Sequence, residues 1–361
     1  MARIVVWLIG RLGRYAVILV LLPIALIGYG WLGLFDHHPY VALAAALVVG
    51  PLSVAGVTLA LGMLLVPGAP PLKDTLSREE APRLWALWDE IDPKPSKRRA
   101  VVVTDQLNAS MGELRGSLGL RRTEILAVGL PLLMACDEAA IWAILAHEVG
   151  HARLAHASGL TNVNDFVGSF DMLFLYADPH DTVLGGLADL ALSGGMRRLK
   201  REMRAVSRRH EFEADAFAGA QTSDAARALV IVEATAHSMD ALVHRPLEQE
   251  LLGAVSPPPP PIARTAAHLA EIHRRGVTAT ARLEKPRASG DLLADEALYG
   301  STHPTFEERL KSLGYDAPPE IAPVATPASA ALLPPETLAR LTKTFDDRWT
   351  REARWFIDGN G

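Results

Sequence analysis

The chain has 361 residues, a formal net charge of −5 and one cysteine. This length is sufficient for a membrane anchor together with one large or two modest globular units. The pI near 6.2 gives no indication of a nucleic-acid partner. The single cysteine, Cys136, excludes an internal disulfide. We interpret it as a small buried residue, because thiolate metal ligands normally occur in spaced sets.

Two uncharged stretches near the N-terminus are each long enough to cross a bilayer as a helix. They lie at residues 15–35 and 39–66, and only the Asp-His-His sequence at 36–38 separates them. This short connection predicts a transmembrane hairpin within residues 1–70. A cleaved signal peptide is the rival interpretation of the first stretch. However, the apolar region is too long for a signal peptide, and no clear small-residue cleavage site follows it.

The charges around these stretches indicate an orientation. Basic residues precede the first stretch and follow the second, whereas the connection between them carries no Lys or Arg. By the positive-inside rule, both ends of the hairpin and the rest of the chain face the cytoplasm. We therefore expect a multi-pass protein of the cell inner (plasma) membrane, in contact with the lipid bilayer, whose larger part is cytoplasmic.

The only convincing β region follows the hairpin. A run of β-branched residues predicts a strand at Ala100–Thr104, and two further short strands are predicted at Ala109–Leu114 and Thr123–Val128. Helical spacing of apolar residues predicts a helix before them, at Ser77–Ile91. This part of the chain therefore combines helices with a small sheet.

The stretch Asp137–His156 has the pattern of one amphipathic helix with Asp137 as its cap. Within it, His147 and His151 are four residues apart and so point in the same direction. Two imidazoles on one helix face can hold a zinc ion, which lowers the pKa of a water ligand to about 7. Glu148 lies beside the first histidine and is placed to take the proton of that water. The alternative is a surface helix that carries two histidines by chance.

A zinc site needs a third protein ligand, and Glu211 is the best candidate. It lies downstream in a second helical run, where Asp215 follows four residues later on the same face. Glu211 is then placed to bind the ion, and Asp215 to orient a ligating histidine. From these residues alone, a solvated acidic face that balances the basic run at 197–209 is the simpler interpretation.

Other stretches give weaker indications. Residues 160–195 contain no uncharged run of the roughly 20 residues that a span requires, so we predict two membrane spans in total. The basic run at 197–209 fits either anionic lipid headgroups or a solvated helix face paired with acids. An amphipathic helix is predicted at 225–243. Pro/Ala-rich residues 317–335 predict a flexible or extended strap, and a last amphipathic helix begins near Pro335.

Four features of the chain are jointly more specific than any one of them alone. They are the zinc-helix motif His147-Glu148-Val149-Gly150-His151, the helix with Glu211 and Asp215, the later Ser301-Thr302-His303-Pro304 with Glu308-Arg309 behind it, and the N-terminal apolar pair. Together they resemble the HtpX-type membrane zinc endopeptidases, gluzincins that are related to the CAAX prenyl endopeptidases. The resemblance covers roughly residues 106–313 and the membrane segments. The chain departs from it at 160–195, where that family often has a second pair of membrane helices.

The resemblance implies one Zn²⁺ per chain. By it, His147, His151 and Glu211 are the zinc ligands. Glu148 is the general base that takes a proton from the attacking water and later passes it to the leaving amine. Asp215 does not bind the ion itself and instead orients a ligating histidine. These roles convert two separate sequence patterns into one expected site.

The resemblance also implies residues that contact the substrate. Asn108 and Ala109 resemble the pair that begins the edge strand of the family, and such a strand holds an extended peptide by backbone pairing. Asn108 closing a turn is an equally good interpretation. His303 and Arg309 are expected to line the site, where His303 would donate a hydrogen bond to the developing oxyanion. From the sequence alone, His303 is a helix cap before Pro304 at the first helical position.

We therefore predict an α+β, mostly helical fold. A gluzincin-type zinc metallopeptidase domain with a small β-sheet is expected at 71–316, anchored by the hairpin at 1–70 and followed by the strap and an amphipathic helix at 317–361. The predicted function is endopeptidase cleavage of polypeptides. The resemblance implies membrane or misfolded proteins as substrates, in membrane-protein quality control. No nucleic-acid partner is expected, and the sequence does not indicate an oligomeric state.

Two other functions are consistent with parts of the sequence. A zinc-stabilised membrane scaffold or adaptor that binds partners without hydrolysis would have no need of Glu148, which is present. A small-peptide exopeptidase would need a charged subsite for a peptide terminus, and the sequence offers no recognisable one. Prenyl-protein processing is disfavoured, because the relatives that perform it enclose a chamber with more spans than this chain has.

Overall fold

The computed structural model describes residues 2–65, 72, 74–94, 98–115, 122–176, 183–275 and 304–359. Within these ranges the fold is mostly helical with one small mixed sheet, so the predicted α+β class is confirmed. The chain divides into two units. The anchor unit comprises Met1–Pro70, Arg115–Arg122 and Leu154–Val206, and the sheet unit comprises Pro71–Leu114, Thr123–Arg153 and Ser207–Gly361.

The helices and strands have the following bounds. The described helices are α1 (Ala2–Leu12), α2 (Ile18–His37), α3 (Pro39–Leu65), α4 (Pro82–Ile91), α5 (Leu130–Ala135), α6 (Glu138–Ser158), α7 (Leu160–Tyr176), α8 (Val183–Gln221), α9 (Ala225–Met239), α10 (Arg245–Leu251), α11 (Pro261–Arg275), α12 (Phe306–Ser312), α13 (Ala328–Leu332) and α14 (Pro335–Gly359). A 3₁₀ turn at Gly13–Val17 joins α1 to α2, and a π-helical turn at Asp240–His244 joins α9 to α10. The described strands are β1 (Thr75–Leu76), β2 (Arg99–Thr104), β3 (Ala109–Arg115) and β4 (Arg122–Gly129).

Helices α2 and α3 form the apolar part of the anchor unit. Only His38 separates them, and the Trp31 indole donates a hydrogen bond to the Ala42 carbonyl at 2.8 Å. By length and composition, α3 can cross a membrane, and a bent helix pair over Trp7–Val17 and Leu21–His37 is a second possible span. Most large apolar side chains of both helices are exposed, an arrangement suited to lipid rather than water. In the described part of the chain, no other helix is long and apolar enough to span.

A buried ion pair fixes the 3₁₀ turn within the anchor unit. The main-chain amide of Arg14 donates to Asp165 Oδ2 at 3.1 Å, and Arg14 Nη2 lies 2.7 Å from Asp165 Oδ1. Both side chains are almost fully buried, and Arg115 Nη1 approaches the same carboxylate at 3.2 Å. Breaking a buried pair leaves an uncompensated charge, so this cluster strongly favours one arrangement of the turn. Arg14, one of the basic residues before the first apolar stretch, is therefore bound to an acid.

The sheet has the order β1-β2-β4-β3. Strand β1 is antiparallel to β2, and β2 is parallel to β4 along its whole length. The three predicted strands are confirmed to within a residue or two at their ends, whereas β1 is too short to produce an alternating pattern and was not predicted. Val101 and Val103 of β2 and Leu126 and Val128 of β4 are buried in the core of this unit. Strand β3 lies at the edge of the described sheet, and its start borders the site described below.

A buried ionic cluster connects α6 to the sheet. Asp92 directly follows α4. Arg99 Nη2 and Arg153 Nη2 each donate a hydrogen bond of 2.8 Å to its carboxylate. Burial raises the pKa of this carboxyl, but Lys94 and Arg153 outweigh burial and hold its pKa below the usual value. Asp92 therefore stays ionised at neutral pH. Because Arg99 lies on β2 and Arg153 on α6, these ion pairs connect the sheet to the helix that carries the zinc motif.

The strap expected at 317–335 is packed onto the sheet unit rather than flexible. Ile321, Leu332 and Leu333 are buried in the same core as the sheet, and the Ala328 amide donates to the Cys136 carbonyl at 2.7 Å. Helix α14 continues this docking through Leu341, which is fully buried. The segment also contains helix α13, which the Pro/Ala-rich composition did not indicate, and that composition carries no sign of the surface that the segment covers.

Two helix starts differ from those predicted. Helix α4 begins at Pro82 rather than Ser77, because a turn precedes it. Helix α12 begins at Phe306, and its cap is Thr305 rather than a residue before Pro304. The Thr305 hydroxyl accepts from the amide of the third helical residue, whose side chain accepts from the Thr305 amide in return. This reciprocal capping box satisfies two helix-end amides and shifts the start beyond the proline.

Some side chains of the basic run on α8 are paired with acids. In the anchor unit, Lys200 Nζ lies 3.2 Å from Asp171. In the sheet unit, Arg208 Nη2 lies 2.7 Å from Glu308. These exposed pairs agree with the interpretation of this run as a solvated face, and pairs of this kind contribute little to stability.

Replacing Leu341 tests whether α14 is part of the core. We expect Leu341→Ala to lower the free energy of unfolding by about 2–5 kcal/mol, because it leaves a cavity where a buried side chain was. Thermal or denaturant unfolding in detergent measures this loss. Trp355→Ala is the matched control, since Trp355 lies on the same helix and is 79% exposed. Equal stabilities of the two variants would contradict the docked position of α14.

Candidate metal centre

Helix α6 presents two histidines on one face. It begins after Asp137, whose Oδ1 accepts a hydrogen bond from the Ala140 amide at 2.9 Å, so the predicted cap is confirmed. His147 and His151 follow at helical spacing, and their ring centroids lie 4.5 Å apart. Both side chains are partly buried. The helix therefore brings two imidazoles together at the border of the core.

Glu211 faces these rings from α8 and is 4% exposed. Its Oε2 lies 3.6 Å from His147 Nε2, and its Oε1 lies 3.5 Å from His151 Nε2. One donor atom from each of the three side chains lies within 4.8 Å of the other two. Zinc bonds of about 2.0–2.1 Å at the tetrahedral angle would separate neighbouring donors by roughly 3.4 Å. The donor set and its spacing thus fit one zinc ion with a position left for a non-protein ligand.

Close packing of α6 on α8 makes this approach possible. Gly150 stands at the contact, where an added Cβ would lie 3.2 Å from Ala214 Cα and 3.3 Å from a ring carbon of Phe217. Ala214 is itself fully buried. The separation of packed helices depends on the side chains at their contact, so small residues here keep Glu211 within reach of the histidines.

Asp215 lies beside the ring of His147. Its Oδ1 lies 2.9 Å from His147 Nδ1, which favours the proton on Nδ1 and leaves Nε2 to bind a metal. Arg309 of α12 donates to both oxygens of Asp215, from Nη2 to Oδ1 at 2.7 Å and from Nε to Oδ2 at 2.9 Å. Arg309 Nη1 also lies 3.7 Å from Glu211 Oε2. This bidentate pair restrains the carboxylate that in turn restrains the histidine.

The carboxylates around His147 change its charge. Burial lowers the pKa of His147, but Asp215 and Glu211 outweigh burial and raise it to about 9. Burial also raises the pKa of Asp215, yet Arg309 and His147 hold it below the usual range. In the metal-free chain at neutral pH, His147 is therefore protonated beside an ionised Asp215. A metal ion has to displace the proton on its ligand nitrogen.

Glu148 has the environment of a general base. Burial raises the pKa of its carboxyl, while the two neighbouring histidines act in the opposite direction. The main-chain amide of Met111 on the edge strand β3 hydrogen-bonds this carboxyl. A carboxyl with a raised pKa accepts a proton more readily near neutral pH, which is the property that proton transfer in catalysis requires.

A cavity of about 140 Å³ lies beside His147 and Glu148. Asn108 and Ala109, the two residues expected to receive substrate, line it at the start of β3. Their position depends on Gly129 at the end of β4. Its amide donates to the Asn108 carbonyl at 2.8 Å, and a Cβ at Gly129 would lie 1.6 Å from the Gln106 carbonyl oxygen. Glycine at this point lets the loop before β3 lie flat against the sheet.

Sequence reasoning missed one wall of this cavity. Ala225, Ala228, Leu229 and Val232 of α9 line it. Helical spacing predicted an inward face of Leu229, Val232, Ala236, Met239 and Val243, and Ala236 is exposed instead. A helical pattern does not reveal what such a face contacts. On this helix, residues that line the cavity and residues of the core are both apolar and both occur at helical spacing in the sequence.

Two further histidines of the chain are not among these donors. His303, expected to donate to the oxyanion, lies outside the described residues. His210 precedes Glu211, is buried and has its pKa lowered by that burial. Among the residues that the structure describes, the group of donors that can hold a metal is His147, His151 and Glu211, without His210.

A model of peptidase family M48 matches residues 86–317, which is more than half of the chain. The chain belongs to peptidase family M48. This family consists of metallopeptidases, so the predicted membership of a metallopeptidase family is confirmed. All residues of the candidate metal centre described above lie within the matched range. Membership implies a metal cofactor, typically zinc.

Among solved structures, this M48 chain is similar to the crystal structure of S. mikatae Ste24p. The two share 17% sequence identity with a TM-score of 0.35, and the match covers 81% of this chain and 62% of that chain. The chain thus spans less than two thirds of the length of that protein. A search of curated proteins gives no match.

Enlarging Gly150 tests the helix contact. We expect Gly150→Val to weaken zinc binding by about tenfold or more, because α6 and α8 must separate and carry Glu211 away from the histidines. Zinc content after dialysis against a metal buffer measures this change. Gly168→Val is the control, since Gly168 is helical with open space around its Cβ position. Full zinc retention by Gly150→Val would mean that the contact does not set the donor spacing.

The charge on His147 predicts pH-dependent metal binding. Because its pKa is about 9 without metal, each zinc ion bound at lower pH releases a proton. Apparent zinc affinity should then rise about tenfold per pH unit up to about pH 9. Competition with a chelator across this range measures the slope. Asp215→Asn removes the main carboxylate that raises this pKa, so its slope should flatten. A zinc affinity that does not change with pH in the unmodified chain would contradict the assignment of His147 as a ligand that must lose a proton.

Proposed function

We propose that the chain is a membrane-anchored zinc endopeptidase in which Glu148 is the general base. The observation that carries this proposal is the convergence of three donor side chains beside Glu148 and a cavity. His147, His151 and Glu211 would hold the ion. Zinc, when bound, polarises the scissile carbonyl and lowers the pKa of the attacking water.

Glu148 moves the proton in this mechanism. Its carboxylate takes a proton from the attacking water and then gives it to the amine that leaves, so the same group acts first as base and then as acid. The raised pKa of this carboxyl supports both directions of transfer. Groups in such a role typically contribute 10²–10⁴-fold to the rate.

Asp215 and Arg309 act as positioning residues. Asp215 keeps His147 in one orientation, and Arg309 keeps Asp215 in place through two hydrogen bonds. Partners of this kind typically change metal affinity or activity by 10–100-fold when they are removed. His303 is proposed, from the family resemblance, to donate to the oxygen that becomes negative during attack.

The edge strand β3 supports binding of an extended peptide. An edge offers unpaired backbone groups with which a substrate strand can pair. Asn108 and Ala109 lie at the start of this strand and line the cavity beside Glu148. A peptide paired with β3 would carry its scissile bond past the general base. An endopeptidase needs such a binding mode because it must recognise a chain rather than a terminus.

The apolar helices of the anchor unit support a location in the membrane. We propose two spans with the catalytic residues on the cytoplasmic side of the inner membrane, on the basis of the flanking basic residues. Membrane or misfolded proteins are the proposed substrates, and membrane-protein quality control is the proposed role. Both follow from the HtpX-type resemblance.

Comparing Glu148→Gln with the unmodified protein tests the mechanism. Both are purified in detergent and assayed for bound zinc and for cleavage of casein or of the chain itself. We expect Glu148→Gln to retain zinc and to lose at least about 10²-fold in activity, because a proton acceptor is removed while the ligands remain. Glu138→Gln is the control, since Glu138 lies on the same helix and pairs with Arg83 at the surface. Undiminished cleavage by Glu148→Gln would rule the mechanism out. A zinc-loaded protein that cleaves nothing in any form would indicate a scaffold instead.

A further inference from the structure

The cavity beside Glu148 has an extended apolar surface that the catalytic mechanism does not use. Six of its lining residues form what we call the apolar wall: Ile144, Ala218, Ala225, Ala228, Leu229 and Val232. They come from α6, α8 and α9 of the sheet unit. A partly open cavity that has one apolar wall next to a reacting centre is suited to holding an apolar group of the substrate there.

One face of α9 supplies most of the apolar wall. Ala225, Ala228, Leu229 and Val232 follow each other at positions i, i+3, i+4 and i+7, which brings them onto one side of a helix. Two of the four are alanines, and Ala218 of α8 is a third small residue of the wall. Small side chains keep this space open. The size of the cavity is therefore set by residues that have no chemical role.

An ion-pair clamp fixes the position of this helix. Arg227 of α9 bonds through both terminal nitrogens to the two oxygens of Asp137, the cap of α6. Arg227 Nη1 also lies 3.3 Å from Asp224, directly before α9. The clamp holds the start of α9 against the start of α6, and Ile144 and Ala225 lie on these two helices. The cavity therefore has walls of fixed separation, so it can discriminate by size.

The volume of the cavity limits what it accepts. It is about 140 Å³, and an apolar cavity of roughly 150 Å³ holds a benzene molecule. A leucine or phenylalanine side chain is of suitable size, whereas an indole is too large. Charged side chains would lose their hydration against the apolar wall. The arginine at the cavity, Arg309, is already bound to Asp215.

We propose that the apolar wall binds a medium-sized apolar side chain next to the scissile bond, and that Ala228 and Leu229 set its size limit. This inference rests on the proposed endopeptidase function. Preferred substrates would carry leucine or phenylalanine at that position. Alanine would fill the space poorly, and tryptophan would not enter. One methylene gained or lost in such a pocket typically changes kcat/KM by about 10–200-fold.

A peptide series tests the preference directly. The full-length, zinc-loaded protein in detergent is given peptides that differ at a single position on either side of the cleaved bond, with Ala, Leu, Phe, Trp, Lys or Glu there. Mass spectrometry identifies the products. We expect Leu and Phe to exceed Ala by about tenfold in kcat/KM on one side of the bond. Peptides with Trp, Lys or Glu on that side of the bond should be poor substrates.

Two variants change the apolar wall in opposite directions. Ala228→Val narrows it, and we expect a loss of about tenfold or more for Leu and Phe peptides with the Ala peptide nearly unchanged. Leu229→Ala widens it and should make the Trp peptide a substrate. Ala236→Val is the control, because Ala236 is exposed on the same helix. Zinc content and Tm are recorded for each variant, and Leu229→Ala decides the question if Ala228→Val does not fold.

The outcomes separate this inference from the proposed function. If both variants cleave with the unmodified order of preference, the apolar wall is not the recognition pocket, although the endopeptidase mechanism stands. If Glu148→Gln cleaves the series as well as the unmodified protein does, the proposed function itself fails. A shift of preference in the expected directions, with zinc content unchanged, supports both.

Discussion

The close packing of α6 against α8 is the constraint on which the site depends. The histidines lie on one helix and the third donor on the other, so the distance between the helices decides whether the three can meet. Gly150 and Ala214 occupy the contact and leave no room for larger side chains. The metal-binding geometry is therefore a property of backbone packing in the core. It does not arise from the donors alone.

Ion pairs between carboxylates and arginines then hold the side chains of the site in one arrangement. Asp215 lies between His147 and Arg309, so a buried carboxylate joins the zinc helix to α12 across a long stretch of sequence. A second carboxylate, Asp137, joins the start of the same helix to α9 through Arg227. Each carboxylate is held by an arginine, which offsets the cost of its burial. The Asp137 pair acts at the start of α6, and the Asp215 pair acts at His147 in the middle of that helix.

The sequence was informative where chemistry and spacing coincide, and less so where only burial is involved. The histidines of α6 were recognisable because polar residues at helical spacing interrupt an apolar face, whereas the carboxylates of α8 acquired their roles through the family resemblance. The strand at Ala100–Thr104 followed from a run of β-branched residues. The wall of the cavity that α9 contributes and the docking of 317–335 could not be predicted. An apolar pattern indicates that a surface is buried, but it does not indicate which part of the chain covers that surface. The start of α12 was misplaced because a local capping box outweighs the preference of Pro304 for a first turn.

The docked C-terminal segment also affects when the site can form during synthesis. The residues from Ala328 to Phe345 lie in the same core as the zinc helix, and the Ala328 amide bonds to the carbonyl immediately before the cap of that helix. The three donor side chains and Glu148 therefore precede this part of the core in the order of synthesis. A chain translated only as far as α12 carries the donors and Glu148 but lacks the side chains that α13 and α14 add to the core.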